Sequence, residues 1–88
     1  MNKETTPYKL RVDTKKCNNE GKSYSLISHA LMGLIYHFHN RKWITGHSYL
    51  YIMKSYHEVE IVDEYIKVFF ARLQEMGLYS YIIIEDDE

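Results

Sequence analysis

The stretch Trp43-Ile44-Thr45-Gly46-His47-Ser48-Tyr49-Leu50-Tyr51-Ile52-Met53, continued by Lys54-Ser55-Tyr56-His57-Glu58, can be read in two ways, and the fold turns on the choice. In the first, two β-rich runs flank Gly46-His47, and glycine at the first central position suits a type II′ hairpin turn. A helix then begins at Tyr56, because Ser55 and Glu58 have the spacing of a capping box and Glu58 and Glu60 lie where the helix dipole favours anions. In the second, one long helix runs from Ser48 to Met76, with Ile52, Val59, Ile66 and Leu73 at seven-residue intervals. The β-branched and aromatic density before Lys54 favours the hairpin.

The flanking segments are easier to read. Tyr8-Lys9-Leu10-Arg11-Val12-Asp13-Thr14 alternates apolar and polar residues, the period-2 mark of a strand with one wet face. The following cluster Cys17-Asn18-Asn19-Glu20-Gly21 then reads as a loop. Ser23 or Ser25 caps a helix from about Tyr24, with Ile27, Leu31, Leu34 and Phe38 at helical spacing. His39, Arg41 and Lys42 complement the negative end of its dipole. From Tyr56 to Met76 the apolar stripe is Val59, Val62, Ile66, Phe69, Leu73 and Met76, closed by Gly77 as a C′ glycine. Leu78 to Glu85 reads as a closing strand.

The resulting order, β-α-β-β-α-β, resembles the ferredoxin-like split βαβ arrangement, which implies an α+β fold with a four-stranded antiparallel sheet and two helices on one face. The long-helix alternative gives β-α-α-β, whose two-stranded ribbon leaves more strand surface uncovered. The expected core is Leu10, Val12, Ile27, Leu31, Leu34, Ile66, Phe69 and Leu73. Residues 1–88 form one domain, with 1–6 and 86–88 expected to fray.

Composition narrows the function classes. The 88 residues carry a net charge of −1, with an apolar fraction of 45% and a charged fraction of 26%, ordinary values for a globular chain. Residues 1–44 hold eight Lys/Arg against three Asp/Glu (+5), and residues 45–88 hold three against nine (−6), an asymmetry that suits a partner surface. Nine tyrosines point the same way, because tyrosine joins apolar area to a hydroxyl. The lone Cys17 forms no internal disulfide, the N-terminus has no apolar signal segment, and no apolar run approaches the ~20 residues of a membrane span. The expected setting is cytoplasmic, without membrane contact.

Chemistry-bearing motifs are sparse. His29 and His37 are about 80° apart on the first helix, and His37 and His39 about 200° apart, so three ligands do not converge there. His47 and His57 lie elsewhere in the chain. The glycines Gly21, Gly33, Gly46 and Gly77 stand alone, with no phosphate-binding or nucleophile-elbow pattern. No catalytic residue, metal ligand or cofactor is assigned, and the expected protein is not an enzyme.

One constellation stands out. With Leu10 and Val12 toward the helices, Lys9 and Arg11 face outward. With Leu50 and Ile52 inward, Tyr49, Tyr51 and Met53 share that outer face. The closing strand adds either Tyr79, Tyr81 and Ile83 or Ser80, Ile82 and Ile84. In element order the chain resembles the RNA recognition motif, and Tyr49-Leu50-Tyr51-Ile52 echoes the middle of that family's third-strand signature. It lacks the preceding Arg/Lys-Gly pair, has Leu50 for a small residue and Lys54 for an aromatic one, and has no aromatic at the centre of its first strand. These departures separate it from that family.

The face defined by Tyr49, Tyr51, Met53, Lys9, Arg11, Tyr79 and Tyr81 is therefore read as partner-binding. The expected protein is a small module that regulates or inhibits a larger protein, as compact phage-encoded inhibitors do. Two further uses of the face are a homodimer and, as the alternative function, single-stranded RNA binding by stacked rings and cations. The weak overall charge favours protein over nucleic acid.

Overall fold

A computed structural model describes the backbone of residues 4–49 and 56–86 and the side chains of residues 4–46 and 56–85. The order is β1 (Thr5–Val12), α1 (Thr14–Asn19), α2 (Tyr24–Asn40), β2 (Ile44–Tyr49), β3 (Tyr56–Val62), α3 (Ile66–Glu75) and β4 (Ile82–Asp86), with 3-10 turns at Asp63–Tyr65 and Tyr79–Tyr81. The strands form one open sheet in the order β2-β3-β1-β4, and every neighbouring pair is antiparallel. The fold is therefore α+β, with a four-stranded antiparallel sheet and three helices. No helix among the described residues is long and apolar enough to cross a membrane.

β1 shows how the pleat sorts side chains. Leu10 and Val12 are buried, Arg11 is exposed, and the strand pairs with β3 on one side and β4 on the other. The same face of β3 contributes His57, Val59 and Ile61, which stand opposite Leu10, Tyr8 and Thr6. One cluster joins this face to all three helices, through Cys17 of α1, Leu31, Ile35 and Phe38 of α2, and Phe69 and Leu73 of α3. Of the expected core, Ile66 is only half-buried and the other seven residues are buried.

The stretch 43–58 corrects both readings. Gly46-His47 is not a turn but lies inside β2, and the segment joining β2 to β3, residues 50–55, is outside the described residues. A register shift between Ile44 and Gly46 marks a bulge, a common site for glycine in a strand. A Cβ at Gly46 would sit 3.0 Å from Glu60 Oε2. No helix begins at Tyr56, because Tyr56–Val62 is a strand hydrogen-bonded on both sides, and the unbroken helix from Ser48 to Met76 is absent too. Glu58 and Glu60 are not first-turn anions. They alternate with buried His57, Val59 and Ile61, and that period of two identifies the strand. Helix α3 starts only at Ile66, after the 3-10 turn. The capping residue proposed at Ser55 lies outside the described residues.

The loop expected at 17–21 is partly helical, since α1 runs through Asn19. Asp13 accepts from the Lys16 backbone N–H at 3.0 Å and so caps α1, a polar N-cap followed by a turn that buries Cys17. β1 begins at Thr5, and the start of the expected closing strand is a 3-10 turn. Two helix ends match their sequence signals. Ser23 caps α2 by accepting from the Leu26 backbone N–H, and Gly77 takes φ 73° just beyond α3.

The C-terminal end of α2 lacks the usual glycine. Lys42 has φ 62°, and the Trp43 N–H donates to Phe38 O at 2.9 Å, the i to i−5 bond of a Schellman closure. A side chain in the left-handed region costs about 1–2 kcal/mol. Lys42→Gly should therefore stabilise the protein by about 1 kcal/mol, and thermal denaturation checks it. An unchanged or lower midpoint would count against this closure.

Candidate functional site

The sheet face away from the helices is built in rows. Arg11 stands between Tyr56 of β3 and Ile83 of β4, and Lys9 between Glu58 and Glu85. Pro7 pairs with Glu60, which in turn stands opposite Gly46 of β2. Each position follows from the pleat, since residues two apart on one strand share a face and cross-strand partners share it with them. No helix of the described residues packs on this side, because the buried residues of all three belong to the cluster on the other.

Electrostatically the face is mixed. Arg11 lies 3.8 Å from Glu85 with both side chains about half exposed, a pair of at most about 1 kcal/mol. Thr5 donates to Glu60 at 3.2 Å, and Thr6 donates to Asp63 at 2.6 Å near the end of the sheet. Three glutamates against two cations give these rows a net −1 rather than a basic track. Tyr56 and Ile83 are half-buried and supply apolar area on either side of the Arg11 guanidinium.

Of the residues singled out in the sequence, Lys9 and Arg11 stand on this face. Tyr49 ends β2, where its backbone pairs with His57, while Tyr51 and Met53 lie outside the described residues. Tyr79 and Tyr81 occupy the 3-10 turn before β4 and are not part of the rows. Tyr81 is committed to the fold: its hydroxyl donates to Glu20 Oε1 at 2.6 Å, and Lys16 Nζ sits 5.1 Å from the ring centre while donating to Ser80 O at 2.9 Å. The hydroxyl's pKa is raised, chiefly because the bond to the Glu20 carboxylate favours the protonated phenol. Tyr79 is exposed, as is Met76. Between the two possible outward sets of the closing strand, Ile83 faces outward opposite Arg11, Ile82 is buried, and Ile84 packs against the core.

Tyr56, Glu58, Glu60 and Glu85 belong to the face but escaped the sequence reading. The alternation in Tyr56–Val62 would have found the first three, had it not also matched a helical stripe through Val59, Val62 and Ile66.

Other chemistry-bearing side chains do not converge. Among the described residues no group of three or more His, Cys, Asp or Glu is placed to hold a metal ion. His57 is buried in the core, and His29, His37 and His39 are exposed along α2. Cys17 is fully buried, and burial, followed by the Asp13 and Glu20 charges, pushes its thiol above the usual range. Alkylation of Cys17 should therefore be slow in the native protein and follow global unfolding, and mass spectrometry along a urea series checks this. Because the folded pKa is the higher one, this thiol's contribution to stability is intact below the ordinary value of about 8.5 and is lost as pH rises past it. Rapid labelling of the native chain would contradict the burial.

No known protein family, curated protein or solved structure matches the chain.

Proposed function

We propose that this protein is a small, non-enzymatic, cytosolic binding module that regulates or inhibits a larger protein by laying its open sheet face on the partner's surface, in the manner of a compact phage-encoded inhibitor. One observation carries the reading: among the described residues of that face both cations are set among glutamates, with Tyr56, Arg11 and Ile83 in one row. Tyrosine and arginine are the residue types that most often anchor protein interfaces. A face with charges of both signs matches a protein surface that also alternates them. Single-stranded RNA draws less support, since a phosphate track needs cations not already set among carboxylates. A ferredoxin-like split βαβ topology belongs to the same reading. The interleaved order β2-β3-β1-β4 supports it, with α1 as an addition after the first strand.

The test is capture from the native host with and without nuclease, repeated with Arg11→Glu. Arg11 is exposed, so the substitution should leave folding intact and weaken capture by about 2 kcal/mol or more if Arg11 is an anchor. A nuclease-resistant protein partner that is lost with Arg11→Glu is the expected result. Capture that vanishes with nuclease, or that is indifferent to the substitution, would overturn the proposal.

A further inference from the structure

Helix α2 is the longest helix described, and none of its 17 residues is Asp, Glu, Lys or Arg. Its inner face is buried through Ile27, Leu31, Leu34, Ile35 and Phe38. At about 100° per residue, Leu26, His29, Gly33, Tyr36, His37 and Asn40 fall within about 60° of one line on the opposite side. Along it Leu26 is 72% exposed and Tyr36 45% exposed, an unusual outer surface for a helix of this length. Gly33 is at the centre. Glycine is the poorest helix former after proline, and among the described residues no atom outside the helix's own backbone lies within 4 Å of a Cβ built there, so no contact among them accounts for it. A close approach by another backbone would.

The stripe is complementary to itself. His29 and His37 lie four residues on either side of Gly33, so an antiparallel two-fold crossing at Gly33 sets each His29 against the partner's His37. Their ring nitrogens suit the contact. Arg41 donates to His37 Nδ1 at 3.0 Å, which places the proton of a neutral ring on Nε2. His29 Nδ1 lies 2.9 Å from Ser25 O and must donate to that carbonyl, which leaves Nε2 of a neutral ring as an acceptor. The Nε2–H of one His37 therefore meets the Nε2 lone pair of the partner's His29, twice by symmetry. Leu26 falls against the partner's Tyr36 and the partner's Asn40. A two-fold contact lays a face on itself, and a stripe without Asp, Glu, Lys or Arg sets none of these charges of its own against the copy.

We infer that the outer stripe of α2, centred on Gly33, docks a second copy of this chain. The open sheet face lies on the other side of the molecule and stays free in such a dimer, so the inference does not rest on the function proposed above.

Sedimentation equilibrium and circular dichroism test it. The wild-type chain should sediment at twice 10.6 kDa at high micromolar concentration. Gly33→Lys, whose Cβ meets no atom of the described residues beyond its own helix backbone, and Leu26→Lys should keep the helical spectrum and weaken association by at least about tenfold. His29→Gln, which retains an acceptor, should dimerise more tightly than His29→Lys. A wild-type monomer overturns the inference. So does a dimer that survives Gly33→Lys, or one that is lost only with Arg11→Glu, which would put self-association on the sheet face.

Discussion

Phe38→Ala is expected to destabilise the protein by about 3–5 kcal/mol, the range for deleting a large buried aromatic side chain. Phe38 is 1% exposed and sits where α2 meets α3. Its ring meets Trp43 and Phe69 edge to face, each at a centroid distance of 5.2 Å. The chain of rings continues from Phe69 to Phe70 at 5.8 Å and from Phe70 to Tyr8 of β1 at 5.5 Å. At the other end Trp43 stacks on Tyr65 at 4.4 Å. Removing the ring empties a volume walled by elements from both halves of the chain, and each lost aromatic pair adds about 0.5–1.5 kcal/mol to the loss of buried area. Urea denaturation measures the effect, and Trp43, the only tryptophan, reports locally on the same contact. Phe38→Leu should cost less, because it retains most of the volume. A loss below about 1 kcal/mol for the alanine variant would mean that α2 does not turn this face to the core.

Ile61→Asp should have a larger effect and leave the chain unfolded. Ile61 is fully buried in β3, the strand hydrogen-bonded to both β1 and β2. An isolated carboxylate there costs several kcal/mol, whether it stays charged or takes up a proton. A domain of this size has only about 4–13 kcal/mol in all at roughly 0.05–0.15 kcal/mol per residue. The neighbouring change Glu60→Gln, on the exposed face, should stay within about 0.5 kcal/mol. Adjacent positions with opposite outcomes are the signature of a half-buried strand. Amide dispersion in an NMR spectrum and a urea melt read both variants. Comparable effects at the two positions would mean that Tyr56–Val62 does not alternate between core and solvent.

The sequence alone determined the elements whose signals are local. Ser23 begins α2 because its hydroxyl accepts from the Leu26 N–H, and that needs only adjacent residues. Gly77 ends α3 in the left-handed conformation, which glycine adopts without a Cβ penalty. The alternation around Leu10 and Val12 identified β1, and seven of the eight expected core residues are buried. Lys9 and Arg11 were placed outward for the same reason.

Tertiary structure decided the rest. Tyr56–Val62 satisfies two periods at once, because Val59 and Val62 serve a helical stripe with Ile66 while His57, Val59 and Ile61 serve a strand face. Hydrogen bonds to β1 and β2 chose the strand, and no window of sequence contains those partners. That one choice moved Glu58 and Glu60 from a helix end to the open face and turned an expected basic, aromatic surface into one where each cation lies among glutamates. The six-residue α1 is too short to hold itself and is kept by contacts that span the chain, with Cys17 buried in the core and Lys16 and Glu20 engaged by the turn at Ser80 and Tyr81. Local chemistry sets where elements begin and end, but pairing across the sheet sets which side of each element meets water, and so which residues are available to a partner.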